Sequence, residues 1–219
     1  MQPPISDMAM LGRLLRCPSG DKAIALADYM FASNETMIAS TLAQLQLPEN
    51  GTLLEIGFGG GGPLSALFTK LPTVHYTGID ASAAMVAYAQ RQNASYTESG
   101  KARFLCASPE KPLSLTGVFN AAFMVNVLYF ISDPKAYFTD LYTHLSLGGQ
   151  LLITCIDKAL GSKIPFAQED FTFYDVDEVE AILTPIGFTL KDTKTFTETL
   201  ISKDGKRIER RYWVASFKK

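Results

Sequence analysis

The run Leu53-Leu54-Glu55-Ile56-Gly57-Phe58-Gly59-Gly60-Gly61-Gly62-Pro63 sets a carboxylate two residues ahead of a string of glycines. Chemically this is a cradle for a cofactor. Glycines adopt positive φ and let the backbone approach a ligand with no Cβ in the way, while a helix that follows presents free N–H groups. The spacing Gly57, Gly59, Gly62 matches the dinucleotide fingerprint, so a nicotinamide-dependent oxidoreductase is one reading. Roughly twenty residues further on, Gly78-Ile79-Asp80 ends in a carboxylate able to accept from both hydroxyls of an adenosine ribose. Both readings use Asp80; Glu55 separates them. A carboxylate there repels a pyrophosphate but suits a cofactor that ends in a cationic amino acid.

These residues need elements to hold them. Segments 52–56, 74–79, 102–106, 119–125 and 150–156 are short, apolar and partly β-branched, as buried parallel strands are. Between them, 63–71, 83–93 and 134–145 carry apolar residues at spacings of three and four, with Gly148-Gly149 expected as a helix stop. This alternation predicts right-handed crossovers and a doubly wound α/β sheet. Asp175 with Glu178 opens a last helix to Leu183, ahead of Pro185 and Gly187. Segments 188–202 and 206–217 then read as strands about Asp204-Gly205, a two-residue hairpin signal that closes the sheet with an antiparallel pair. Ahead of the first strand, 21–30 and 35–45 read as two helices, with Pro18-Ser19-Gly20 as a break, that pack on the sheet or cover its edge.

Composition excludes several classes. The chain has 219 residues, 47% of them apolar and 19% charged, enough for one sizeable core with a small accessory segment. Lys and Arg number 20 against 22 Asp and Glu, so no global field attracts phosphates, and a dedicated duplex binder is disfavoured. Cys17, Cys106 and Cys155 are odd in number and lack metal-knuckle or redox spacing; a reducing, cytoplasmic setting is expected, with no metal. The N-terminus shows no signal-peptide pattern. The most apolar stretch, 121–131, is interrupted by Asn126 and too short to span a bilayer, so no membrane partner is expected.

The motif from Glu55 to Gly61, followed by Asp80-Ala81-Ser82 and a helix, resembles the E/D-x-G-x-G-x-G and acidic ribose motifs of class I S-adenosylmethionine-dependent methyltransferases. The resemblance extends over nearly the whole chain. It implies a Rossmann-like fold, a seven-stranded and mainly parallel sheet with a C-terminal antiparallel hairpin, over 48–219, and a helical cap packed on it over 1–47. From it, Glu55 would orient the methionine amino group, Gly57, Gly59 and Gly61 would admit the cofactor, and Asp80 would hold the ribose. Ala81 and Met85 would cushion the adenine, bordered by Ala107-Ser108-Pro109; many members carry Asp where Ser108 stands. Asn126-Val127-Leu128-Tyr129 would line the methionine and the methyl acceptor, with Asn126 counted among the cofactor contacts. The tetrapeptide also resembles the N-P-P-Y motif of base-modifying amino-group methyltransferases, without its prolines.

Methyl transfer from a sulfonium needs chiefly alignment at about 3 Å and exclusion of water, worth up to roughly 7 to 11 kcal/mol. No residue is assigned as a base; His75 and His144 read as structural by position. The acceptor is expected to be a small molecule, with Tyr29, Asn34, Tyr129, Phe166 and Phe171 as candidate contacts. The aromatic run 171–174 with Pro165-Phe166 reads either as acceptor pocket or as core. Lys206, Arg207, Arg210 and Arg211 alternate with other types and read as a solvated strand face, although a negatively charged substrate stays open. Two alternatives stand beside this expectation: the NAD(P)-dependent oxidoreductase, and a catalytically silent cofactor-binding regulatory module.

Overall fold

In the computed structural model, the residues described are 7–62, 64–164, 167, 171–201 and 207–219. Phe166, Lys206 and the Asp204-Gly205 turn, all singled out above, lie outside them. Five parallel strands, β1 (Thr52–Ile56), β2 (His75–Asp80), β3 (Ala102–Cys106), β4 (Phe119–Val125) and β5 (Leu145–Ile156), join β6 (Thr189–Ile201) and β7 (Arg207–Lys218) in one seven-stranded sheet. The order is β3-β2-β1-β4-β5-β7-β6, with β7 antiparallel to both of its neighbours.

Alternation along each strand divides the core between the two faces. Leu53 of β1 packs with Tyr76, Phe123, Leu152 and Val214 on one face, whereas Leu54 and Ile56 pack with Met124, Ile153 and Ala215 on the other. Leu53 and Leu54 are both fully buried, each stabilising the fold by roughly 1.5–3 kcal/mol relative to exposure. Helices α3 (Leu64–Lys70), α4 (Ala83–Gln92) and α5 (Ala94–Glu98) accompany the first crossovers, and α6 (Pro134–Thr143), α7 (Lys158–Gly161) and α8 (Val176–Leu183) the later ones. Local signals set their ends. Asp133 accepts from Ala136 N at 3.0 Å, with Pro134 at the first helical position, and Glu178 accepts from Asp175 N at 2.8 Å.

Two N-terminal helices precede the sheet, α1 (Met8–Arg16) and α2 (Ala23–Leu42). The sequence suggests separate helices over 21–30 and 35–45, and none at 8–16. Instead α2 runs unbroken, because no Gly or Pro interrupts 31–34 and Ala27, Met37 and Thr41 keep burying one face. Asn34, between the two expected helices, is held by a tertiary bond described below. Gly148-Gly149 does not stop a helix either: α6 has ended at Thr143, and the glycines pair with the C-terminal residue, Gly148 N donating to Lys219 O and Lys219 N to Gly149 O. The extra residues are taken up by a register shift between Phe119 and Ala121 in the β4–β5 pairing.

β1 lies between β2 and β4, so the crossovers leave it in opposite directions and a crevice opens beyond its C-terminal end. β7 pairs with β5 only as far as Tyr212, whereas β6 and β7 remain paired out to Ile201 and Arg207. The hairpin therefore overhangs that same crevice.

Candidate functional site

A cavity of about 400 Å³ occupies the crevice, between α2 and the C-terminal ends of β1, β2 and β4. Its size is within the usual range for small-molecule sites. Glu55, Gly57, Gly59, Asp80, Ala81, Ser108, Asn126, Tyr29, Asn34, Tyr129 and Phe171 all line it. Gly61 and Met85 do not. Met85 is fully buried within the core, and Gly61 sits where helix meets sheet: a Cβ there would lie 2.9 Å from Asn93 Nδ2 and 3.0 Å from Ala89 Cβ.

The glycine turn is built by backbone need. Gly57 has φ +73°, donates to Ile79 O at 2.7 Å, and could not carry a Cβ, which would fall 2.3 Å from Val127 Cγ2. Gly59 has φ +58°, nothing within 4 Å of a Cβ position, and its N–H donates to Asp80 Oδ2 at 3.0 Å. Asp80 Oδ1 accepts from Ser82 N at 2.8 Å. Both carboxylate oxygens thus anchor the loops, each keeping a further lone pair for a ligand. Burial pushes the Asp80 carboxyl up, and the two backbone donors pull it back.

Glu55 is 5% exposed. Tyr76 donates to its Oε2 at 2.6 Å, and Oε1 has no partner among the described residues. Burial pushes its carboxyl up to about 7, assisted by the charge of Asp80 and opposed by the Tyr76 hydrogen bond. An acid so perturbed at a cavity wall is poised to bind a cation, which would repay the desolvation of its charge.

Asn126 takes a left-handed φ of 57° at the end of β4, a conformation asparagine tolerates. Its Nδ2 donates to Asn34 Oδ1 at 2.9 Å and to Met37 Sδ at 3.2 Å, and its Oδ1 accepts from Ile156 N at 3.3 Å. The side chain is thereby engaged in clamping α2 over the strand ends. The Ser108 hydroxyl serves its own loop, donating to Glu110 Oε2 at 3.2 Å and accepting from Glu110 N at 3.3 Å. The N-terminal segment is strapped across the mouth: Ser82 Oγ donates to Pro18 O, and Arg16 pairs with Glu110 at 2.8 Å.

The far end of the cavity is aromatic. Tyr129 lies 4.7 Å from Phe130, 5.1 Å from Phe171 and 5.2 Å from Phe173, centroid to centroid, so the aromatic run is both core and wall. Burial pushes the Tyr129 hydroxyl well above its ordinary value, which unsuits it as a base. Neither histidine is part of the lining. Among the described residues no group of three or more His, Cys, Asp or Glu converges as metal ligands would.

The basic run divides. Arg207 and Arg211 are exposed, as a solvated face requires, but Arg210 turns inward and lines the cavity. Strand alternation explains it. Arg210 shares a face of β7 with Tyr212 and Val214, which pack in the core beneath α2. Sequence reasoning missed this residue, together with Cys17 and Pro18 at the mouth.

Residues 54–151 match the family model of a methyltransferase domain. Over this segment the chain is similar to class I methyltransferases. It is 28% identical over 125 residues to the uncharacterized methyltransferase YdaC of Bacillus subtilis, covering 57% of this chain and 67% of that protein. Solved structures that share the fold include two enzymes of different chemistry. Geranyl diphosphate methyltransferase, in complex with GPP and sinefungin, superposes with a TM-score of 0.68 at 14% identity over 84% of this chain and 77% of that one. The [4+2]-cyclase SpnF does so with a TM-score of 0.66 at 17% identity over 84% and 80%. The cyclase shows that this fold alone does not dictate the reaction.

The glycine at the helix–sheet contact is Gly61, not Gly62. A dinucleotide site uses its last fingerprint glycine for close helix–sheet packing, whereas a Cβ on Gly62 would meet the Phe31 ring of α2 at 3.0 Å. The nicotinamide alternative and the silent module draw no support from these relatives.

Proposed function

We propose that this chain is a methyltransferase that uses S-adenosylmethionine and acts by direct displacement on a small-molecule acceptor. The observation that carries the reading is Glu55, a buried carboxylate facing a cavity from beneath the glycine turn with one oxygen unpartnered among the described residues. It matches an ammonium group in charge, and Asp80 matches a ribose in donor and acceptor chemistry. A protein of the same fold, geranyl diphosphate methyltransferase, has a structure in complex with sinefungin, an S-adenosylmethionine analogue, which supports the same cofactor. When bound, S-adenosylmethionine supplies an activated methyl group for transfer to a nucleophile.

The chain's own residues would bind, orient and exclude water. Glu55 takes the amino group, Gly57 and Gly59 leave room for the ligand, Asp80 holds the ribose, and Ala81 with the Ser108 loop borders the adenine. Helices α1 and α2 act as a cap, held by the Asn126–Asn34 clamp and the Arg16–Glu110 pair. Tyr129, Phe171, Tyr29 and Asn34 enclose the acceptor. Three free cysteines are in keeping with a cytoplasmic setting, and among the described residues no helix is long and apolar enough to cross a membrane.

Calorimetry tests the cofactor half: S-adenosylhomocysteine should bind in roughly the micromolar range, and NADH should not. Preference for NADH would overturn the proposal. Binding of S-adenosylhomocysteine without labelled methyl product from any acceptor or cell extract would overturn the enzymatic half alone.

A further inference from the structure

The cavity is electrically lopsided. Glu55 and Asp80 stand at its glycine end, whereas the overhanging hairpin brings Arg210 to the aromatic end. The Arg210 side chain is 12% exposed and its partner Glu198, directly opposite on β6, is 11% exposed. Nε donates to Glu198 Oε1 at 2.7 Å, and Nη2 reaches both that oxygen, at 2.6 Å, and the carbonyl of Ser33 on α2. One edge of the guanidinium is therefore fixed between two elements, while Nη1 has no partner among the described residues. Glu198 is not part of the cavity wall; Arg210 is.

A guanidinium is planar and rigidly forked, so fixing one edge fixes the direction of the other. Its remaining donors need an acceptor once water leaves, because an unmade charge-assisted bond is costly. The surrounding wall offers little: Tyr129, Phe171, Phe173, Ile156 and Leu160 are mostly apolar. The acceptor molecule itself is the natural source. A core built only for an apolar acceptor would gain from replacing a largely buried ion pair with hydrocarbon, yet here the pair is placed at the wall.

We infer that Arg210 is a specificity-determining residue that receives a carboxylate on a methyl acceptor whose body is aromatic or otherwise apolar. The assignment rests on the methyltransferase reading above. A carboxylate fits better than a phosphate, since Glu198 already offsets the single positive charge and a dianion would also face Glu55 and Asp80 across the cavity. The aromatic cage takes the body, and the fixed guanidinium sets which end of the acceptor faces the cofactor.

The test is calorimetry on the full chain saturated with S-adenosylhomocysteine, titrated with phenylacetate, phenylacetamide, phenyl phosphate, indole-3-acetate and indole-3-acetamide. The carboxylates should bind at least about tenfold more tightly than the matched amides, a difference of about 1.4 kcal/mol. Phenylacetate should also exceed phenyl phosphate. Arg210→Gln alone strands a buried Glu198, so the informative variant is Glu198→Gln/Arg210→Gln, which removes both charges. There the preference for carboxylate should vanish while S-adenosylhomocysteine still binds. Equal binding of acid and amide, tighter phenyl phosphate, no probe bound at roughly 10 mM, or an unchanged preference in the double variant would each overturn the assignment. Failure of S-adenosylhomocysteine to bind the unaltered chain would instead overturn the methyltransferase reading.

Discussion

Replacing Glu55 by glutamine should stabilise the unliganded protein above neutral pH while weakening its grip on the cofactor. The carboxyl, ordinarily near 4.5, is pushed up to about 7 in the folded chain, mainly by burial. Below about 4.5 it is protonated whether the chain is folded or not, and the fold carries no penalty. As pH rises toward 7 the unfolded chain releases its proton and the folded chain retains it, so folding loses up to about 1.4 kcal/mol per pH unit. Above 7 both states are ionised and the loss levels off. From 4.5 to about 7 this amounts to about 3 kcal/mol, an upper figure. Glutamine cannot ionise, and its carbonyl can still accept from Tyr76. Urea denaturation followed by the fluorescence of Trp213, the only tryptophan and 5% exposed, reads the difference at pH 5 and pH 8. Glu55→Gln should match the parent near pH 5 to within about 1 kcal/mol and exceed it by up to about 3 kcal/mol at pH 8. A difference that does not grow with pH, or a parent more stable at pH 8, refutes the reasoning. With S-adenosylhomocysteine, the parent's affinity should rise toward pH 7 as Glu55 ionises, and the variant's should stay low and flat through that window.

Other substitutions test separate links. Gly57→Ala puts a Cβ 2.3 Å from Val127 at a φ of +73°, and should cost about 2 kcal/mol or more in urea denaturation; an unchanged midpoint counts against the turn described. Pairing it with Val127→Ala should recover the steric share and leave the backbone share. Asp80→Ala should weaken S-adenosylhomocysteine by about 1 to 3 kcal/mol in calorimetry, and unchanged affinity in a folded variant contradicts the ribose role. Arg16→Ala, at a partly exposed ion pair, should change stability by less than about 1 kcal/mol yet speed S-adenosylhomocysteine release in stopped-flow, as loosening a strap requires. An unaltered release rate argues that the α1 segment does not close the mouth.

Strand positions were legible because parallel strands buried on both faces need continuous apolar runs, and few other structures do. The same holds for the Asp175–Glu178 cap, whose signal is local. Helix continuity in α2 was not: Ser33 and Asn34 carry a local preference for ends, and the contact that overrides it, with Asn126, lies 92 positions away. The choice between Gly61 and Gly62 as packing glycine depends on Asn93 and Phe31, which nothing near the motif announces.

The amino-acid order by itself determined the alternating α/β plan, the glycine turn, and the two acids at the ends of β1 and β2, since each follows from short-range stereochemistry or from periodic burial. Tertiary structure alone decided that Tyr76 grips Glu55, that Asn126 braces α2, and that one arginine in a basic run is drawn to the cavity wall while Arg207 and Arg211 stay in solvent. Those outcomes depend on which distant face arrives opposite each side chain, and on burial that raises the cost of leaving a charge or donor unpaired.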